Sequence, residues 1–268
     1  MQTPTTTHTT YFNTFIAKLV AKFQPLQIFN FSRNSFEKQN EGCFNKEPST
    51  HQSNYCLLLV TESNTSIDHE VQDFANAHYQ QGTVMVICHS KLAIDKAIAA
   101  KNRFFITVYT KGELVYGHNI LLEVADAEVK AREQCKHRFA LAEGFYLGAS
   151  ECLTSWEQYA VAVFMLHQAV KQLCIGLIRI QLDYRSEHHN LNGLLQLCTC
   201  FSQAPLQLFT AKPDDRRLFN ILVKSYLAAR YQPDFIVSEQ DAISLCNKVA
   251  AFTALATQLG EDKIRELV

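Results

Sequence analysis

Two stretches of this sequence hold the residue types that handle phosphate. In Arg185-Ser186-Glu187-His188-His189 an arginine precedes two histidines, with two and three residues between. A guanidinium offers paired donors to phosphate oxygens and an imidazole can donate a hydrogen bond to them, so the stretch suits phosphate binding. Arg230-Tyr231 is the second stretch, but residues 232–237, Gln-Pro-Asp-Phe-Ile-Val, supply no histidine. A further basic run, Lys136-His137-Arg138, completes the candidates.

Helices must position all of them. Apolar residues recur at helical spacing through Tyr159, Val163, Leu166, Val170, Leu173 and Leu177, widened by Ala160, Phe164 and Cys174. Such a helix needs neighbours on several sides and forms the middle of a bundle. The period predicts helices over 133–152, 155–182, 190–202, 213–230 and 238–259. With these alternating up and down, the first, third and fifth start at the end where the second and fourth stop. That end gathers Lys136, His137 and Arg138 with Arg185, His188, His189, Arg230 and Tyr231, and helix N-termini add partial positive charge. The expectation is a phosphate site with Arg230 as clamp and His189 as donor. The plainer alternative is that Asp183, Glu187 and Asp234 neutralise these bases.

Other residues read more simply. His167, mid-helix among apolar neighbours, is expected to be a hydrogen-bonded core histidine. Trp156 reads as a packing residue beside Ser155, the expected N-cap. Pro213-Asp214-Asp215 reads as a helix opening rather than a metal pair. Arg216, Arg217 and Lys224 read as a solvated face, while Tyr226 and Tyr231 suit either packing or ligand contact.

Composition narrows the function classes. Lys plus Arg number 25 against 26 Asp plus Glu in 268 residues, so no overall field recruits DNA or an anionic membrane. Any polyanion site is local. Nine scattered cysteines without a signal peptide read as reduced thiols of a cytoplasmic protein. Cys198-Thr199-Cys200 lacks a second pair at zinc spacing and reads as buried helical cysteines. No apolar run is read as long enough to span a membrane.

Before the bundle, residues 1–10 read as a disordered start and 11–23 as an amphipathic helix stopped at Pro25. A strand over 26–31, a polar loop over 32–53 and a strand over 55–61 buried on both faces follow. Next come a helix over 67–81 capped by Gly82, a strand over 83–88 and a helix over 91–101. Residues 104–110 suit strand or helix equally, and 114–116 an edge strand. The fold class is α+β: a small mixed-sheet α/β domain over 11–117, a linker over 118–132 and an all-α antiparallel bundle over 133–262.

The bundle sequence resembles the HEPN domain over about residues 135–260. The resemblance lies in Ala162-Val163-Phe164-Met165-Leu166-His167-Gln168-Ala169, then His189-Asn190-Leu191 with Leu194-Leu195, then Tyr226-Leu227-Ala228-Ala229-Arg230-Tyr231 before Ser238-Glu239-Gln240-Asp241-Ala242. It implies a helical bundle, often dimeric and often linked to nucleotide or RNA chemistry. Ribonuclease members carry an arginine and a histidine with about four to six residues between them, the histidine acting as acid or base on the ribose hydroxyl and the arginine on the phosphate charge. Only two and three residues separate Arg185 from His188 and His189, and no histidine follows Arg230 within residues 232–237. The N-terminal order resembles the minimal nucleotidyltransferase fold. Its active members carry Gly-Ser after the first strand for phosphates and Asp-x-Asp at the start of the second for magnesium. Here Phe31 stands at the glycine, Ser32 remains, and Asn54 and Cys56 replace the carboxylates, which implies a scaffold without transfer chemistry. The resulting expectation is a non-catalytic homodimer binding a nucleotide, another phosphorylated small molecule or RNA, with no metal or cofactor. The alternative is a toxin-type ribonuclease acting as a dimer.

Overall fold

The computed structural model describes residues 4–38, 50–65, 67–118, 131–186 and 190–266. The chain divides into two compact units, Met1–Glu128 and Val129–Val268.

The first unit is a four-stranded sheet in the order β3-β2-β1-β4. Its strands are β1 (Gln27–Lys38), β2 (Thr50–Thr61), β3 (Val84–Ser90) and β4 (Glu113–Tyr116). β1 runs antiparallel to β2 and β4, and β2 runs parallel to β3. This is the mixed sheet that the sequence predicts. Helix α1 (Pro4–Phe23) lays Phe12, Phe15, Ile16 and Leu19 on one face, joined by Val71 and Ala75 of α2 (Asp68–His78). α3 (Lys91–Ala99) and α4 (Arg103–Lys111) follow β3. The ambiguous segment at 104–110 is therefore helix. Asn102 caps it by accepting from the Phe105 amide, and Phe104, Phe105, Val108 and Tyr109 are buried. The Leu57–Val60 run is buried on both faces, as its unbroken apolar pattern requires.

Several expectations are corrected here. The predicted disordered start holds helix from Pro4 onward. Within the predicted loop over 32–53, the described residues 32–38 and 50–53 are paired strand, and residues 39–49 lie outside the described residues. β1 continues to Lys38 and β2 begins at Thr50, with Arg33 opposite Tyr55 and Ser35 opposite Ser53. A ribbon with polar residues on both faces lacks the alternation that marks a strand in sequence. α2 ends at His78 rather than near Gly82, because Tyr79 leaves the helix and sends its hydroxyl to the Ser53 carbonyl. Gly82, at φ +138°, instead lets the chain pass against that same carbonyl, where a Cβ would collide.

The second unit comprises α5 (Ala131–Thr154), α6 (Tyr159–Leu182), α7 (Leu191–Cys198), α8 (Ala204–Thr210), α9 (Pro213–Tyr231) and α10 (Glu239–Glu266). α6 is its centre: Val163, Leu166, Val170, Leu173 and Leu177 are fully buried or nearly so. α6 is also long and apolar enough to cross a membrane by length and composition, contrary to the sequence expectation, but 61% of that window is buried inside the unit. α5 packs closely on it, since a Cβ on Gly176 would lie 2.6 Å from the Phe139 ring. α6 begins at Tyr159 with Gln158 at the N-cap position, its side chain making no capping bond, so Ser155 is not the cap. Trp156 sits in the preceding turn, 61% exposed, and is not a packing residue. The single helix predicted over 190–202 is shorter, and α8 follows as a separate helix with Pro205 in its first turn.

Candidate functional site

α6 and α9 meet where Ser225 Oγ donates to the Val163 carbonyl at 3.3 Å. Residues four apart share a helix face, which pairs His167 with Lys171 on α6 and Tyr226 with Arg230 on α9. The Tyr226 ring stacks on His167, with centroids 5.0 Å apart and planes 21° apart. Arg230 Nε donates to the Tyr226 carbonyl at 2.7 Å, which folds the guanidinium back along α9. Its Cζ then lies 4.4 Å from the Tyr226 ring centroid, 5.0 Å from Tyr231 and 5.7 Å from Phe164. Lys171 Nζ lies 5.8 Å from the Tyr226 centroid. One tyrosine ring thus carries a histidine and two cations.

Among the described residues no carboxylate lies within 4.0 Å of Lys171 or Arg230. Other bases of the bundle differ. Arg217 is held by Asp214 and Asp241, each at 2.7 Å, so it ties α9 to α10 rather than lying free on a solvated face. Lys248 meets Asp215 at 2.6 Å, and Arg179 meets Asp183 at 3.2 Å. Cation–π contacts hold Lys171 and Arg230 in place without cancelling their charge, which leaves a local positive field on a chain of net charge −1.

His167 is 2% exposed, as a core histidine should be. Burial, then Lys171, then Arg230 push its pKa down to about 4, so it is neutral near pH 7. Its Nδ1 lies 3.4 Å from Gln168 Nε2. The bundle therefore does bring an arginine and a histidine together, but the histidine is covered and uncharged near pH 7.

Of the sequence candidates, Arg230 and Tyr231 belong to this cluster. Arg138 does not: its Nη1 donates to Gln172 Oε1 at 2.8 Å. Lys136 and His137 are exposed on α5. Arg185 is exposed just beyond the end of α6, whereas Arg230 covers Phe164 near its start. A helix rises 1.5 Å per residue, so about 27 Å separate Phe164 from Leu182. The expected single basic pole is thus divided. The cause is α8, which adds a helix between α7 and α9 and breaks the simple alternation. His188 and His189, with Glu187, lie outside the described residues. Lys171, Phe164 and His167 were not read as site residues. The spacing of His167 with Lys171 and of Tyr226 with Arg230 is the signal that pointed to them.

The N-terminal candidates have structural duties. Phe31 is the extra residue of a bulge in β1 and packs its ring on Phe104, centroids 5.4 Å apart. Ser32 is paired with Cys56 and Asn34 with Asn54, so Ser32, Asn54 and Cys56 sit in mid-ladder rather than at strand ends. Asn54 Oδ1 accepts from the Thr83 amide at 3.0 Å. Cys56 is a buried thiol. An amide oxygen already in use and a buried thiol form a poor donor set for magnesium.

A solved structure of a nucleotidyltransferase-like protein from Exiguobacterium sibiricum 255-15 aligns with 12% identity over 95% of this chain and 77% of that one. Its TM-score is 0.29, and a likeness of that size carries no inference. No curated protein matches the chain. The HEPN family model matches residues 137–259, nearly the span over which the sequence resembles that family. Residues 137–259 of this chain are an HEPN domain.

Proposed function

We propose that the HEPN bundle binds the phosphate of a nucleotide or another phosphorylated ligand between Lys171 and Arg230, without catalysing its turnover. The observation that carries this is the pair of cations held on the Tyr226 ring with no carboxylate beside them among the described residues. An arginine offers paired donors to phosphate oxygens and a lysine offers a point charge, so together they take a dianion. Tyr231, 72% exposed beside Arg230, supplies an aromatic surface at the rim. The N-terminal unit, in this reading, is an inactive nucleotidyltransferase-like scaffold whose candidate metal positions serve the fold.

A screen of nucleotides and sugar phosphates by thermal shift tests the reading. A ligand at a hundred times its dissociation constant stabilises by about 2.7 kcal/mol, and added salt should reduce that shift. No stabilisation by any phosphorylated compound contradicts it. The ribonuclease alternative predicts cleavage of RNA by the pure protein; the burial of His167, which keeps it from a ribose hydroxyl, argues for intact RNA. We also propose a homodimer, since Trp156, Val161, Leu227, Tyr231 and Ile236 leave apolar surface exposed on the bundle. Light scattering at micromolar concentration that returns the monomer mass counts against it.

A further inference from the structure

The cation pair has a third basic member beneath it. His167 stacks on the inner side of the ring that Lys171 and Arg230 both approach. It is too covered to touch a ligand, so its influence passes through space and through the position of Tyr226. Lys171 on α6 itself and Arg230 on α9 are the charges that act on it, and Tyr226 is the titratable ring against it. α5, α7 and α10 also pack on α6, and among the described residues they bring no charge that acts on His167.

We infer that an anion seated between Lys171 and Arg230 draws a proton onto His167, so that ligand binding and protonation of this buried histidine are coupled. This rests on the anion-binding reading above and adds the regulation of that site. The physical reason is electrostatic. In the free protein two positive charges oppose a third, and burial opposes it further. An anion that satisfies both cations cancels their repulsion and adds attraction of its own. By linkage the reverse holds equally: protonating His167 tightens the anion site, so acidification strengthens binding of a ligand whose own charge is constant. His167 is thus a positioning and tuning residue rather than a contact.

Sulfate is the probe to use, because its charge does not change over the range in which histidines titrate. The ring signals of His167, identified by their loss in His167→Gln, are followed by NMR against pH with and without saturating sulfate. The expected result is an upward shift of the His167 midpoint by about one pH unit or more. Sulfate should leave the midpoint in place in Arg230→Gln. His167→Gln should still bind sulfate but with a flatter dependence on pH. Sulfate binding that is lost in Arg230→Gln, together with an unmoved His167 midpoint in the wild type, overturns the coupling alone. Absence of any sulfate binding that depends on Arg230 overturns the anion reading and the coupling with it.

Discussion

In the sheet unit, Asn54 gives its Oδ1 to the Thr83 amide, Gln27 accepts from Tyr109, and Gln72 bonds both Val84 and Val86. Asp68 accepts from the Cys88 amide in the same way. Each of these side chains fastens one element to its neighbour. Asn30 differs, with Nδ2 on Glu113 and Oδ1 buried without a partner. The α6–α9 cluster is arranged on the opposite principle. Lys171 and Arg230 rest on aromatic rings, and no carboxylate among the described residues answers them. A polar group already used by the fold is not free for a ligand, whereas a fixed and uncancelled charge is. Residue type alone does not separate the two cases; the partner does.

The largest expected effect is on the sheet side. Gly82→Ala forces a Cβ into the Ser53 carbonyl at a φ of +138°. It should destabilise the chain by roughly 2–4 kcal/mol in urea unfolding. A change under half a kcal/mol would mean that the close approach of this turn to β2 is not maintained in solution.

Acid stability sharpens the contrast from the bundle side. His167 has a folded pKa of about 4, set by burial, Lys171 and Arg230 in that order. Unfolded, it returns to about 6.5. The unfolded chain therefore binds the extra proton between these values. Stability is complete above pH 6.5 and falls as pH drops towards 4, by up to roughly 3 kcal/mol from this group. Urea unfolding against pH should show this slope, and His167→Gln should flatten it. An unchanged slope in that variant assigns the acid sensitivity elsewhere.

Asn54→Ala is the smallest of the three. It removes the bond to the exposed Thr83 amide and should cost about 0.5–1.5 kcal/mol in stability. Because Asn54 works for the fold, magnesium with a nucleoside triphosphate should give no pyrophosphate in either protein. Release by the wild type that disappears in Asn54→Ala would restore a transfer site to the sheet.

Much of the fold was legible in the sequence, and the reasons are local. The unbroken run at 57–60 announces a central strand, and the period of Val163, Leu166, Val170 and Leu173 announces a central helix. The strand extensions at 32–38 and 50–53 are not legible, since a ribbon with two polar faces has the composition of a loop. The site was half legible. Arg230 and Tyr231 could be named from chemistry, but their partners could not, because α8 is short and its omission changes which helix ends meet. Spacing within one helix is written in sequence; the register between α6 and α9 is set by packing.

The central claim is that Lys171 and Arg230 together hold the ligand's phosphate. Calorimetry of wild type, Lys171→Ala, Arg230→Ala and Arg185→Ala against the nucleotide with the largest thermal shift tests it most directly. Charge-assisted hydrogen bonds contribute about 1.5–3 kcal/mol, so each of the first two variants should bind about tenfold or more weakly. Arg185→Ala should bind as the wild type does. Wild-type affinity in a folded Arg230→Ala, or weakening confined to Arg185→Ala, would contradict the account.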